Sequence, residues 1–83
     1  MVELNRAVAV GISEGPEQGL RLIGDLLARE HLADYHLAHS ARADLCRRLG
    51  RLLEARTSCE MALALVRQEP ERRFLARRLR ELQ

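Results

Sequence analysis

The amino-acid sequence predicts an all-α domain made of antiparallel helical hairpins. Its 83 residues are 47% apolar but only 2% aromatic, so leucine and alanine must supply most of the core. Leucine and alanine favour helices, whereas β-branched and aromatic residues are the ones enriched in strands. The two prolines, Pro16 and Pro70, both stand where a helix could begin. A chain of this length holds one domain with a small core.

Turn residues divide the chain into five helical segments, which we expect at about 2–12, 16–29, 35–49, 52–68 and 70–82. In the first segment, Leu4, Val8 and Ile12 fall on one stripe at helical spacing. Gly15 and Gly50 can each end a helix, and Asp34 can cap the third helix. The connections are short, so neighbouring helices are expected to be antiparallel.

Each later helix also carries an apolar stripe that we expect to face the core. These positions are Leu20, Ile23, Leu26, Leu27, Ala38, Ala41, Leu45, Leu49, Ala55, Cys59, Ala62, Leu63, Val66, Leu75, Leu79 and Leu82.

Charge is distributed unevenly along the chain. All 14 basic residues are arginine, and the net charge is +2. Residues 1–41 contain three arginines and six acidic residues (−3), whereas residues 42–83 contain eleven arginines and six acidic residues (+5). An arginine-rich half can contact an acidic protein or phosphates, or can form a solvated, salt-bridged helix face.

Catalytic and metal-binding motifs are absent from the sequence. Cys46 and Cys59 fit no disulfide framework and no zinc-ligand spacing. His36 and His39 lie near Asp44 and Cys46 on one segment but do not have the spacing of a metal motif. The glycines form no phosphate-binding loop. We therefore expect no enzymatic activity, no cofactor and no metal.

Localisation follows from two further features of the chain. It has neither a signal peptide nor an apolar run long enough to cross a membrane, and its cysteines suggest a reducing compartment. We expect a cytoplasmic protein that does not bind membranes.

An internal repeat is indicated by Gly15 and Gly50, which lie 35 residues apart, each between the two helices of a pair. A helix–turn–helix unit recurring at this period is typical of an α-solenoid. A simple up-down bundle of five helices is the alternative.

The segment "LGRLLEARTSCEMALAL" resembles the turn and second helix of a tetratricopeptide repeat, with Gly50 in the turn and Ala55, Cys59 and Ala62 at its packing positions. Arg42 stands where that pattern has leucine. The resemblance implies a right-handed array, with repeat one at about 2–29, repeat two at about 34–68 and a capping helix at about 70–82.

A second resemblance covers nearly the whole chain. The strings "VELNRAVAV", "GPEQGL", "YHLAHSARADLCRRLGR" and "ERRFLARRLREL", in this order, resemble the C-terminal extension of extracytoplasmic-function-type RNA polymerase sigma factors. The resemblance implies that residues 1–83 are a fragment of a longer bacterial protein that supports or regulates transcription initiation. Its implied partners are the sigma domains of the same chain, RNA polymerase or a regulator, and DNA is contacted only through the missing domains.

In such arrays the first helix of each pair lines a concave groove. The resemblance then places a candidate partner-binding groove at Asn5, Arg6, Asp44, Arg47, Arg48, Arg73, Phe74, Arg77 and Arg80. Guanidinium groups there could bind carboxylates of a protein partner. The alternatives are a free-standing helical-repeat adaptor and nucleic-acid contact by the arginine-rich last helix. Self-association through an apolar first helix is also possible.

Overall fold

The computed structural model describes residues 2–29 and 34–82, and within them the chain is helical, with no strand. The five helices are α1 (Val2–Ser13), α2 (Pro16–Arg29), α3 (His36–Arg48), α4 (Leu52–Leu65) and α5 (Glu69–Glu81). The prediction of an all-α fold is confirmed. The boundaries of α2 match the sequence-based expectation, and those of the other four helices differ by one to three residues.

Consecutive helices are packing neighbours along the whole chain. The most extensive contacts join α3 to α4 and α1 to α2, which makes two hairpins; α2 then packs on α3, and α5 packs on α4. The radius of gyration is 11.8 Å, as expected for a compact domain of this length. One core therefore runs through both hairpins to α5, and contains Leu4, Ile23, Cys46, Cys59 and Leu75.

Both predicted turn glycines end a helix with a positive φ, Gly15 at 113° and Gly50 at 77°. At the end of α3, the Gly50 amide donates to the Arg47 carbonyl and the Arg51 amide donates to the Cys46 carbonyl. This pair of bonds is a Schellman motif, which satisfies the last carbonyls of a helix. A side chain at either glycine would strain the backbone at these angles.

The predicted inner stripe of α1 is only partly correct. Leu4 is buried, Val8 is half-buried, and Ile12 is 70% exposed. The buried stripe consists of Leu4, Ala7 and Gly11, and the last two of these residues are small. A methyl group on Gly11 would lie 2.9 Å from the Leu45 Cδ2 atom, so α1 approaches its neighbours through the small side chains and turns Ile12 outwards.

Helix α3 does not begin with the predicted cap. Tyr35 is its N-cap and makes no side-chain cap hydrogen bond, while Asp34 lies one residue further out and is exposed. The first turn is instead held by the imidazole of His36, which lies 2.9 Å from the Glu71 carboxylate on α5.

Helix α4 ends at Leu65 rather than near residue 68, because Val66 is extended and buried. The Val66 carbonyl accepts a hydrogen bond of 3.1 Å from the Arg72 guanidinium. Helix α5 begins at Glu69, one residue before Pro70, which occupies the first turn. Proline is tolerated there since first-turn amides have no partner within the helix.

Candidate interaction groove

A groove of about 450 Å³ runs between α1, α3 and α5. These are the first helix of each hairpin and the final helix. The groove is lined by Leu4, Asn5, Val8, Leu37, Ser40, Ala41, Ala43, Asp44, Cys59, Phe74, Leu75 and Arg78. Cys59, from α4, closes its floor.

The groove lining is mainly apolar. Leu4, Cys59 and Leu75 are at most 5% exposed and form the floor, whereas Leu37 and Phe74 are 41% and 54% exposed. Large apolar side chains exposed beside a concave surface are typical of a docking site. Asn5, Ser40, Asp44 and Arg78 supply polar groups along the same lining.

Of the nine residues predicted for the groove, Asn5, Asp44 and Phe74 line it. The six predicted arginines do not belong to its lining; they are Arg6, Arg47, Arg48, Arg73, Arg77 and Arg80. The groove of the structure is therefore apolar with a few polar groups, rather than a row of guanidinium groups.

Two of the predicted arginines neutralise Asp44 on the surface of α3. Its carboxylate lies 2.7 Å from Arg47 Nη2 and 3.0 Å from Arg48 Nε. These pairs, three and four residues apart on one helix, are partly exposed and contribute little stability each. Arg48 also lines a small cavity with Ile12 and Val8 that adjoins the groove at Val8 and Asp44.

The remaining predicted arginines lie elsewhere on the surface. Arg6 lies beside Leu22 and Leu26, between α1 and α2. Arg73 Nε is 3.5 Å from the Glu69 carboxylate on the same helix. Arg77 and Arg80 are exposed, and within residues 2–29 and 34–82 neither takes part in an ion pair.

Arg78 is the arginine of the groove, and the sequence-based reasoning did not select it. Its guanidinium carbon lies 5.3 Å from the centre of the Phe74 ring, which is cation–π distance. Arg78 Nη1 also lies 3.5 Å from the Glu81 carboxylate. The sequence contained a signal for this contact, because Phe74 and Arg78 are four positions apart and therefore share a face of the helix.

Besides its apolar face and the Arg72–Val66 hydrogen bond near its start, helix α5 makes two further polar contacts with the second hairpin in the described residues. The Cys59 thiol donates to the Leu75 carbonyl at 3.3 Å. The second contact is the His36–Glu71 pair, which joins the first turns of α3 and α5. Both contacts position the α5 wall of the groove.

The two thiols are unsuited to nucleophilic chemistry. Burial raises the pKa of Cys46, and the nearby guanidinium groups of Arg42 and Arg51 offset this only in part. Burial likewise raises the pKa of Cys59, against the smaller opposing influence of Arg78. The reactive form of cysteine is the thiolate, so both side chains act as packing groups.

Metal ligands do not converge in the described structure. Residues 2–29 and 34–82 contain no group of three or more histidine, cysteine, aspartate or glutamate side chains placed to hold a metal ion. His36, the nearest candidate from the sequence, is directed to Glu71.

Over 82 residues, 99% of its length, the chain is 40% identical to "Uncharacterized protein R00370" of Rhizobium meliloti (strain 1021). It spans 19% of that protein's length, so most of the relative lies outside the likeness. No family model matches the chain, and no solved structure matches it. None of the helices in the described part of the chain is both long and apolar enough to cross a membrane.

Proposed function

We propose that this chain is a tetratricopeptide-like interaction module that binds a protein partner in the groove between α1, α3 and α5. The observation that carries the proposal is the position of this groove. Its walls come from the first helix of each hairpin and from α5. In a helical-repeat array such helices line the concave binding surface, which supports the proposal.

The tetratricopeptide-like arrangement is supported by the two hairpins and their turns. Each hairpin has a positive-φ glycine between its helices, and these glycines lie 35 residues apart. In the second hairpin, the small residues Ala43, Ala55 and Ala62 are at most 4% exposed. Small buried residues at these places allow the two helices of a repeat to cross closely.

We further propose that the module belongs to a bacterial sigma factor and supports or regulates transcription initiation. The likeness of the sequence to the C-terminal extension of such factors supports this assignment. The Rhizobium relative is several times longer than the chain, which leaves room for promoter- and polymerase-binding domains. The proposed partners are the sigma domains of the same protein, RNA polymerase or a regulator, and the module itself has no catalytic role.

Contact of α5 with nucleic acid has weaker support. Arg72 is bonded to a backbone carbonyl, Arg73 lies near Glu69, and Arg78 lies over a ring in the groove. These contacts leave Arg77 and Arg80 as the exposed basic groups of the helix without an ion pair in the described residues, which is a small footprint for phosphate binding.

The proposal can be tested by measuring binding of the purified chain to core RNA polymerase and to the promoter-binding domains that the proposal expects upstream of residue 1. Phe74→Glu and Leu37→Glu place a charge in the groove and should weaken binding by about tenfold or more, since apolar anchors in grooves dominate interface energy. Leu53→Glu is the matched control, because Leu53 is 77% exposed and lies outside the groove.

Two results would count against the proposal. A reading frame without promoter-binding domains upstream of residue 1 would exclude the sigma-factor assignment and favour a free-standing adaptor. Equal binding by the Phe74→Glu, Leu37→Glu and Leu53→Glu variants would show that the partner does not bind in the groove.

A further inference from the structure

A second cleft, of about 280 Å³, lies between α2, α3 and the start of α4 and shares no lining residue with the groove. Its lining contains three arginines, each from a different part of the fold: Arg21 on α2, Arg42 on α3 and Arg51 immediately before α4. The other lining residues are Glu17, Leu20 and Gly24.

Arg42 is held in a fixed position in this cleft. Its Nη1 donates to the Ser58 hydroxyl at 2.6 Å, and its Nη2 lies 3.4 Å from the Glu54 carboxylate. The Ser58 hydroxyl is buried, so Arg42 satisfies a buried polar group, and its side chain also belongs to the lining of the cleft.

Arg21 and Arg51 are exposed, and neither takes part in an ion pair within the part of the chain that the structure describes. Arg51, immediately before α4, and Arg42, on α3, both line the cleft. In the described residues, Glu17 lines the same cleft and Glu54 pairs with Arg42, so two carboxylates accompany three guanidinium groups. The excess favours an anionic ligand.

Gly24 is exposed and belongs to the α2 wall of the cleft. It lies in the middle of α2, where glycine weakens a helix relative to alanine. A methyl group at Gly24 would meet no atom within 4 Å, so helix packing does not require this glycine. Glycine does leave the α2 backbone open to close approach by a bound molecule.

We propose that the cleft of Arg21, Gly24, Arg42 and Arg51 binds a small multivalent oxyanion of the phosphate class, such as the diphosphate group of a metabolite. Guanidinium groups bind phosphate oxygens with paired hydrogen bonds. Arg21 and Arg51, which have no ion pair within the described residues, can each contribute such a pair. The cleft is too small and too local for a polymer, which needs a long basic surface.

The test titrates sodium pyrophosphate into the chain of residues 1–83. Binding is measured from the backbone amide chemical shifts and from the melting temperature. Pyrophosphate should shift the amides of Gly24 and Arg51 saturably and raise the melting temperature, because a ligand that binds the native state stabilises it. Arg21→Gln and Arg51→Gln should each weaken binding about tenfold or more. Arg67→Gln removes the same charge from an exposed position outside the cleft and should change affinity less than about twofold.

Gly24→Ala separates ligand binding from stability. This variant should melt at a higher temperature than the parent without ligand, because alanine favours the helix, and yet bind pyrophosphate more weakly. No saturable shift with the parent, unchanged affinity in Gly24→Ala, or equal weakening by Arg67→Gln would overturn the proposal. A short single-stranded oligonucleotide that bound more tightly than pyrophosphate through Arg51 would overturn the assignment to a small ligand.

Discussion

Gly19 on α2 lies directly against Gly11 on α1, so closely that a methyl group on Gly19 would be 2.7 Å from the Gly11 Cα atom and 2.9 Å from the Ala7 carbonyl oxygen. Both of these neighbours belong to the backbone and cannot move aside as a side chain could. The first hairpin is thus closed by backbone contact at a pair of glycines.

We expect Gly19→Ala to destabilise the domain by about 1–3 kcal/mol, since overpacking at this contact exceeds the gain in helix propensity. For a domain of this size, each kcal/mol lowers the melting temperature by about 4–8 °C. Thermal unfolding followed by circular dichroism measures the effect. Gly24→Ala is the matched control on the same helix and should raise the melting temperature, because an added methyl group there is unopposed. A Gly19→Ala variant as stable as Gly24→Ala would contradict the close crossing.

Ala62 should be equally intolerant of a larger side chain. It is fully buried in α4, so Ala62→Leu should cost about 1–3 kcal/mol of unfolding free energy. Ala64→Leu adds the same atoms on the exposed face of α4 and should change stability by less than about 0.5 kcal/mol. Urea unfolding of both variants checks the difference, and equal midpoints would place Ala62 outside the helix crossing.

The His36–Glu71 contact should stabilise the attachment of α5. The two side chains are 24% and 37% exposed, and Glu71→Gln should cost about 0.5–1 kcal/mol. The loss should be concentrated in α5, whose backbone amides should exchange faster with solvent while those of α1 and α2 remain protected. Glu69→Gln removes the more exposed Arg73 pair and should leave exchange in α5 nearly unchanged. Uniformly faster exchange in the Glu71→Gln variant would mean that the contact does not act locally.

The free energy of unfolding should fall as pH rises through the range in which the thiols of the unfolded chain ionise. Burial raises the pKa of Cys46 and of Cys59 in the folded state, while the thiols of the unfolded chain ionise near about pH 8.5. Above that pH the unfolded chain binds fewer protons than the folded one, so the free energy of unfolding decreases with pH. Urea unfolding at about pH 7.5 and pH 9.5 measures the decrease. The Cys46→Ala/Cys59→Ala variant should show a smaller decrease, and an equal decrease would assign the effect to other groups.

The tetratricopeptide resemblance placed the candidate groove on the first helix of each pair and on the last helix. The groove of the structure is lined by Asn5, Asp44 and Phe74 from that set, and its role as a partner-binding site stays a prediction. The arginines of those helices could not be assigned from the sequence, because a long side chain can reach several partners. Arg47 and Arg48 form ion pairs with the Asp44 carboxylate. The groove beside them is lined mainly by apolar side chains such as Leu37 and Val8.

The sequence by itself determined the number of helices, their approximate limits and the turn glycines, since these depend on local propensity and on backbone angles that only glycine adopts readily. It also identified most of the buried positions of α2 to α5, among them Ile23, Leu45, Cys59 and Leu75, because these residues fall on one apolar stripe of their helix. Only the tertiary structure decided which face of α1 is buried. There, large residues such as Ile12 compete with Ala7 and Gly11 for the inside, and the small residues are chosen because they let the backbones of α1 and α2 touch.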